Sequence, residues 1–300
     1  MSMLARTLKS VTMAERLKHT GTLLNVQKHF SQVTQGAKYG PDFRQYLQLA
    51  NGEVGSYFHD IPLELKSEQR TVRMVVEVPR WSNGKFEISK KLDFNPIVQD
   101  VKKGKVRFVH NIFPFRGYIQ NYGAIPQTWE DPTREAGLGS INGDNDPLDC
   151  CEIGSVTLHM GDIMEVKILG SLALIDDGEL DWKIIAINVN DPLALELNNL
   201  EDVEVHMPGL LSATREWFKK YKIPAGKPAN KFAFEGQYKD AQYTVQIVRE
   251  CHEAWKRLIS GTVDGDNLPA IRRAGHGIKA VSNEEDPVPI PTEVGFWHYV

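Results

Sequence analysis

Between residues 43 and 175 the apolar residues fall in short runs broken by Gly and Pro, a pattern that predicts strands rather than helices. The run Thr71-Val-Arg-Met-Val-Val-Glu-Val78 is strand-like, and shorter β-branched runs follow at 106–112, 147–153 and 163–169. The segments 172–175 and 183–189 flank Asp177-Gly178, a turn signal that predicts a hairpin. After about residue 195 the period lengthens. Ile247, Val248, Cys251, Ala254, Trp255 and Leu258 recur at spacings of three and four, which predicts an amphipathic helix over 240–259. A shorter helix is predicted over 210–221, stopped by Pro224 and Gly226. Strands first and helices later, with no βαβ alternation and no internal repeat, define an α+β chain.

The two ends differ from this body. Residues 1–41 carry Arg6, Lys9, Arg16, Lys18, Lys28 and Lys38 against the single acid Glu15, with Met3, Leu4, Leu8, Val11 and Leu17 at roughly helical spacing. That is the composition of a mitochondrial presequence. It is also that of a basic arm on a cytosolic protein. The cytoplasm is the expected compartment, with the mitochondrial matrix as the alternative. The last twenty residues hold Pro287, Pro289 and Pro291 and then Phe296-Trp297, which predicts an extended tail with an aromatic anchor.

Composition removes several classes. Apolar residues make up 41% and charged residues 25% of 300, so the chain can bury a core of ordinary size. The net charge of −4 argues against a nucleic-acid partner, and no run of about 18 apolar residues offers a membrane span. Cys150, Cys151 and Cys251 have no CxxC spacing, which argues against a disulfide scaffold or a zinc site and fits a reducing compartment.

The acidic residues are more informative. Gly143-Asp144-Asn-Asp146-Pro-Leu-Asp149 places three aspartates within six residues. An EF-hand loop counted from Asp144 fails, because position 5 is Leu148, position 6 is Asp149 and position 12 is Ser155. A set of open carboxylates suited to Mg²⁺, water and a phosphate remains. A second acidic group, Asp176-Asp177-Gly178-Glu179-Leu180-Asp181-Trp182-Lys183, puts Asp176 and Asp181 on opposite arms of the predicted hairpin. Asp181 and Lys183 then share one face of a strand. The same spacing in Lys85-Phe-Glu87 and Asp144-Asn-Asp146 predicts strands with one face on a charged cleft. Arg107 and the run Lys219-Lys220-Tyr221-Lys222 add cations, whereas Asp264-Gly-Asp266 reads as an ordinary loop.

Five motifs then stand in order: Glu77-Val-Pro-Arg-Trp81, Asn121-Tyr-Gly-Ala, Pro126-Gln-Thr-Trp-Glu-Asp-Pro132, Gly143-Asp-Asn-Asp-Pro-Leu-Asp149 and Asp181-Trp-Lys183. Together they resemble the soluble, family I inorganic pyrophosphatases of eukaryotes, from about Gln35 to Leu258. The resemblance implies a small closed antiparallel β-barrel of OB-like kind with flanking helices. It divides the chain into an extension (1–34), a catalytic barrel domain (35–260) and an extended tail (261–300). It also implies a homodimer, with Arg80-Trp81 and the Trp297 tail as contact residues.

The site residues follow from the same resemblance. Metal ligands match Asp144, Asp149, Asp176 and Asp181, with Glu87 for a further ion, and the base beside the attacking water matches Asp146. Phosphate-binding groups match Lys85, Arg107, Tyr122, Lys183, Tyr221 and Lys222, of which Lys85, Arg107 and Tyr122 also count as catalytic. Glu77 and Tyr118 match supporting positions. The implied reaction is hydrolysis of inorganic diphosphate with several Mg²⁺ per site, Mn²⁺ as a substitute and Ca²⁺ as an inhibitor. Two other readings are a non-catalytic barrel that binds metal or polyphosphate, and a Mg²⁺-dependent hydrolase of an organic phosphoester.

Overall fold

The run at 71–78 does form a strand, and that strand belongs to a ring. The computed structural model describes residues 30–134 and 141–300. In chain order the first strands are β1 (Phe30–Ala37), β2 (Arg44–Leu49), β3 (Val54–Gly55), β4 (Thr71–Val78), β5 (Phe86–Ile88) and β6 (Ile97–Gln99). Three two-residue strands follow: β7 (Val101–Lys102), β8 (Lys105–Val106) and β9 (Asn111–Ile112). Then come β10 (Asn121–Ala124), β11 (Asp149–Glu152), β12 (Ile163–Asp176) and β13 (Glu179–Asn188). Pairing runs from β13 through β11, β10 and β4 to β12, and from β12 back to β13. The expected small barrel is therefore present, with five strands in its hydrogen-bonded ring. Four of its pairings are antiparallel, and β11–β13 is parallel. A ring with an odd number of strands cannot alternate direction all the way round, so one parallel pair is obligatory.

The runs at 163–169 and 172–175 belong to one fourteen-residue strand, β12. Its register against β13 shifts between Ile168 and Gly170, an irregularity that bends a long strand without ending it. The predicted hairpin follows at once. Asp177 and Gly178 both have positive φ, 49° and 99°, and Asp176 pairs with Glu179. The run at 106–112 yields only the end of β8 and the two-residue β9.

The residues of β4 divide between two clusters. Val72, Met74 and Val76 meet Ile168, Ile184 and Val245, while Val75 and Val78 join the cluster of Leu174, Ile185 and Trp217. Burial on both faces explains why this strand reads as a nearly continuous apolar run. Cys150 and Cys151 divide in the same way between the two clusters, and both are fully buried.

Three helices follow the barrel: α1 (Leu200–His206), α2 (Leu210–Lys220) and α3 (Ala241–Ile259). The last two match the predicted periods. α3 is capped by Asp240, whose side chain accepts the Tyr243 N–H at 2.8 Å, and it buries Val248, Ala254, Trp255 and Leu258. α1 escapes a periodicity reading because Val203 is its only buried residue. No helix among the described residues is long and apolar enough to cross a membrane.

A second sheet runs β5, β6, β2, β1 and ends on Asn283–Glu285 of the tail, parallel to β1. β1 starts at Phe30, inside the segment read as the N-terminal extension; the presequence reading of the residues before it lies outside the described residues. The tail is extended, but its aromatic pair is not an anchor. Phe296 and Trp297 are 59% and 45% exposed, and Trp297 meets the still more exposed Phe113 edge to face at 6.2 Å. The buried side chain is Val294, and Trp297–His298 is held by backbone pairing with β9.

Candidate active site

The 143–149 segment is a loop feeding β11, which corrects the strand reading of Asp144-Asn-Asp146. Asp146 N–H donates to Asp144 Oδ1 at 3.0 Å, and Asn145 sits at φ 71°, a conformation Asn tolerates better than most residues. A turn, not strand alternation, brings the two carboxylates to one cleft. The Pro126–Pro132 motif is its support. The indole of Trp129 donates to Asn145 Oδ1 at 2.9 Å, Glu130 N–H donates to the Asp146 carbonyl at 2.9 Å, and Asn145 N–H donates to the Glu130 carbonyl at 3.0 Å. Gly143 packs so closely on the Glu130 backbone that a Cβ there would collide with it.

The barrel wall supplies the facing groups. Asp149 on β11 is the register partner of Lys183 on β13, and Asp181 lies two residues before Lys183 on the same face. The Lys183 ammonium donates to Asp149 and to both Asp181 oxygens, the latter at 2.5 Å. Tyr122 on β10 donates to Asp149 from across the β10–β11 pair. The neighbouring Gly123 lies against the Val75 carbonyl, where no Cβ fits, so the Asn-Tyr-Gly-Ala motif has a steric reason. Asn121 is fully buried and ties Glu152, Arg80 and the backbone at 156–158 together.

The remaining groups come from β5 and the residue before it, from the positions just after β6 and β8, and from the two residues after α2. Lys85 pairs with Glu87 at 2.6 Å and lies 3.4 Å from Asp100, which also pairs with Arg107 at 2.5 Å. Backbone hydrogen bonds fix that trio: Asp100 N–H to the Lys85 carbonyl, Arg107 N–H to the Asp100 carbonyl and Lys85 N–H to the Arg107 carbonyl. Helix α2 stops so that Tyr221 stacks on Trp217 and reaches Asp176 at 3.4 Å, while Lys222 pairs with the same carboxylate.

Crowding and loss of solvent raise the pKa values of the acids of the cleft. Burial, then Asp146, pushes Asp144 well above the ordinary aspartate value; burial, then Asp149, does the same for Glu77. Burial raises Asp146 to about 6 against the opposing pull of Lys90, and Asp181 to about 8 against Lys183. Burial alone would lower Lys183, but Asp149 and Asp181 more than offset it and keep the ammonium charged.

One cleft is lined by twelve of the fourteen residues singled out from the sequence. Arg107 and Lys222 are the other two. They line an adjoining basic groove with Lys102, Lys103, Lys105 and Lys227, and meet the cleft through Asp100 and Asp176. Three charged groups were not foreseen. Glu130 stands inside a quoted motif, fully enclosed behind Asp144 and Asp181, with Oε1 accepting the Trp182 N–H at 3.0 Å. Lys90 pairs with Asp146 at 3.0 Å, and Asp100 reaches Lys85 and Arg107 only because β6 turns back beside β5. No spacing along the chain signals the last two.

Ligand atoms of Glu130, Asp144 and Asp181 lie within 4.8 Å of one another. All are hard oxygens, and one Glu130 oxygen is buried without a partner, so the donor set fits a divalent cation that keeps part of its water.

Fold and cleft together define a phosphoanhydride hydrolase that depends on a divalent metal. The family model described as inorganic pyrophosphatase matches residues 74–256. The mitochondrial inorganic pyrophosphatase of Saccharomyces cerevisiae is 59% identical over 294 residues, covering 95% of each chain. The inorganic pyrophosphatase of Yarrowia lipolytica is 50% identical over 276 residues, covering 88% of this chain and 95% of that one. Among solved structures, the inorganic pyrophosphatase of Schistosoma japonicum superimposes with a TM-score of 0.85 at 42% identity, covering 90% of this chain and all of that one. The chain belongs to the inorganic pyrophosphatase family and hydrolyses diphosphate, which sets aside the non-catalytic and phosphoester readings.

Proposed function

We propose that the cofactor is Mg²⁺, several ions per cleft, and that Asp146 is the base. The observation that carries this is the Lys183 ammonium lodged between Asp149 and Asp181. The cleft demands positive charge at the place where carboxylates converge, and a divalent ion meets that demand better than one lysine. Asp144, Asp149, Asp176 and Asp181 would hold the ions, with Glu87 taking a further one. Bound there, they supply Lewis acidity, lowering the pKa of a water and neutralising phosphate oxygens.

The chain does the rest. Asp146 takes the proton of the attacking water. Lys85, Arg107, Lys183 and Lys222, with the hydroxyls of Tyr122 and Tyr221, hold the two phosphates and spread the charge that grows on the leaving one. Positioning and electrostatic stabilisation suffice for phosphoryl transfer, so no covalent enzyme intermediate is invoked. Glu77, whose Oε1 accepts the Ile88 N–H at 2.6 Å, and Tyr118, packed against Tyr122, support this set.

The protein works as a homodimer in this proposal. Trp81 and Trp297 are large, exposed aromatic side chains, which are expected at a contact surface, and the Arg80 guanidinium lies 5.8 Å from the Trp81 ring centre. The catalytic domain is assigned to 35–260, with extensions on either side. The compartment proposed is the mitochondrial matrix rather than the cytoplasm. The basic, acid-poor start of the chain and its 59% identity to a relative named mitochondrial support this.

The test is phosphate release from diphosphate and from ATP, with Mg²⁺, Mn²⁺, Ca²⁺ or EDTA. Rapid release from diphosphate with Mg²⁺, slower release with Mn²⁺ and none with EDTA are expected. Equal activity in EDTA would sink the metal reading, and a preference for ATP would sink the substrate.

A further inference from the structure

We propose that Lys90 is a positioning residue for Asp146, holding one carboxylate oxygen so that the other faces the attacking water. The proposal rests on the assignment of Asp146 as the base. The Lys90 ammonium lies 3.0 Å from Asp146 Oδ1 and 3.5 Å from the Asp144 carbonyl, so it grips the acidic loop at two points. Asp146 Oδ2 has no hydrogen-bond partner among the described residues and is left for water. The Asp146 side chain is 41% exposed, and without a partner it could turn about its own side-chain bonds.

The base of the lysine is held as firmly as its tip. The Lys90 carbonyl accepts the Ala270 N–H at 2.7 Å, and the Ser89 carbonyl accepts the Asn95 side-chain amide at 3.0 Å. That same fully buried amide donates to the Ala270 carbonyl at 3.0 Å. The segment around Ala270 thus locks the main chain from which Lys90 projects. An ammonium on a fixed stem positions its partner, whereas one on a mobile stem only follows it.

A comparison with the other lysines separates their roles. Lys85, Lys183 and Lys222 pair with Glu87, with Asp149 and Asp181, and with Asp176, and Lys85 also lies 3.4 Å from Asp100. Each of these lysines therefore shares at least one carboxylate proposed to hold metal, and a bound ion there would free the ammonium for phosphate. The partner of Lys90 is not assigned to metal, so this pair persists in the loaded enzyme.

The experiment is a double-mutant cycle on the full-length enzyme with Lys90→Met, Lys90→Arg, Asp146→Asn and Lys90→Met combined with Asp146→Asn. Turnover and KM for diphosphate in Mg²⁺ are read beside calorimetric Mg²⁺ affinity and thermal midpoint. Lys90→Met should lower kcat by about 10- to 100-fold, the scale of a misplaced reacting group, with KM, Mg²⁺ affinity and midpoint unchanged. Lys90→Arg should recover most of that loss, and in the Asp146→Asn background Lys90→Met should add nothing. Equal losses in both backgrounds, or a loss carried by KM or Mg²⁺ affinity, would overturn the positioning role while leaving the base intact. Normal turnover in Asp146→Asn would remove the base assignment and, with it, the role of Lys90.

Discussion

Asp149 and Lys183 are register partners on parallel strands, and the lysine ammonium is hydrogen-bonded to the carboxylate it faces. It also reaches Asp181, so one buried cation serves two acids. Lys183→Met leaves both acids without a cation, and removing one partner of a buried pair costs about 3–5 kcal/mol. Denaturant unfolding in EDTA should show a loss of that order, and saturating Mg²⁺ should restore most of it. A variant as stable as the parent in EDTA would mean that the pair holds nothing together.

The same crowding predicts how stability follows pH. Asp181 titrates near 8 in the folded protein, because burial, then Asp149, outweighs the help of Lys183, and its ordinary value is 3.8. Glu77, Glu130 and Asp144 are raised as well, each chiefly by burial. Above pH 7 the folded state therefore binds more protons than the unfolded one, and stability falls as pH rises. His59, lowered to about 4 by burial, acts the other way, but only below its unfolded value of 6.5. Metal-free protein should lose stability as pH rises from about 7 through about 8, and Mg²⁺, which competes with those protons, should flatten the fall. A flat or rising profile in EDTA would contradict the site electrostatics.

What could be seen in the sequence followed from distance along the chain. The Asp177-Gly178 hairpin and the Asp181–Lys183 face depend on neighbours within a few residues, where turn chemistry and strand alternation decide the outcome. Closure of the barrel, and the parallel pairing of Asp149 with Lys183, depend on strands about thirty to ninety residues apart, and no local period encodes that. Lys90 and Asp100 escaped for the same reason: their partners are Asp146, and Lys85 with Arg107, reached only through the fold. The aromatic tail misled because Phe296-Trp297 has the composition of an anchor while Val294 is the side chain that is buried. Glu130 could have been found, since a glutamate enclosed by apolar Trp129 and a proline-bounded motif is an unusual place for a solvated acid.

Two acidic positions separate cleft from loop. Asp181 is buried and hydrogen-bonded to Lys183, whereas Asp264 is exposed in the segment after α3. Asp181→Ala should weaken Mg²⁺ binding by at least about 100-fold, above the range seen for residues behind a metal ligand. Asp264→Ala should leave binding and turnover as they were. Calorimetric titration of both variants decides the matter, and equal weakening would mean the two clusters were sorted wrongly.

Calcium should occupy the cleft without supporting turnover. It is larger than Mg²⁺, accepts looser geometry and polarises water less, so it fills the carboxylates without preparing a nucleophile. In steady-state assays with fixed Mg²⁺, added Ca²⁺ should inhibit, and excess Mg²⁺ should relieve the inhibition. Full turnover with Ca²⁺ alone would contradict the proposed division between metal and base.

Asp146 in the acidic loop and Asp149 at the start of β11 lie three residues apart, yet they are assigned opposite tasks. Asp149 is tied to Tyr122 and Lys183 on the barrel wall, at the point where the proposed ions gather. Asp146 faces Lys90, and its pKa of about 6, raised by burial, suits a group that must take a proton near neutral pH. Asn keeps the size and one acceptor of Asp while removing the base. Asp146→Asn should therefore lower single-turnover hydrolysis by roughly 10²–10⁴-fold, the usual worth of a positioned base. Its Mg²⁺ affinity should fall far less than that of Asp149→Asn, which would lose one of the proposed metal ligands. If high Mg²⁺ rescued Asp146→Asn completely, Asp146 would be a ligand, and the proton would have to go to another group in the cleft.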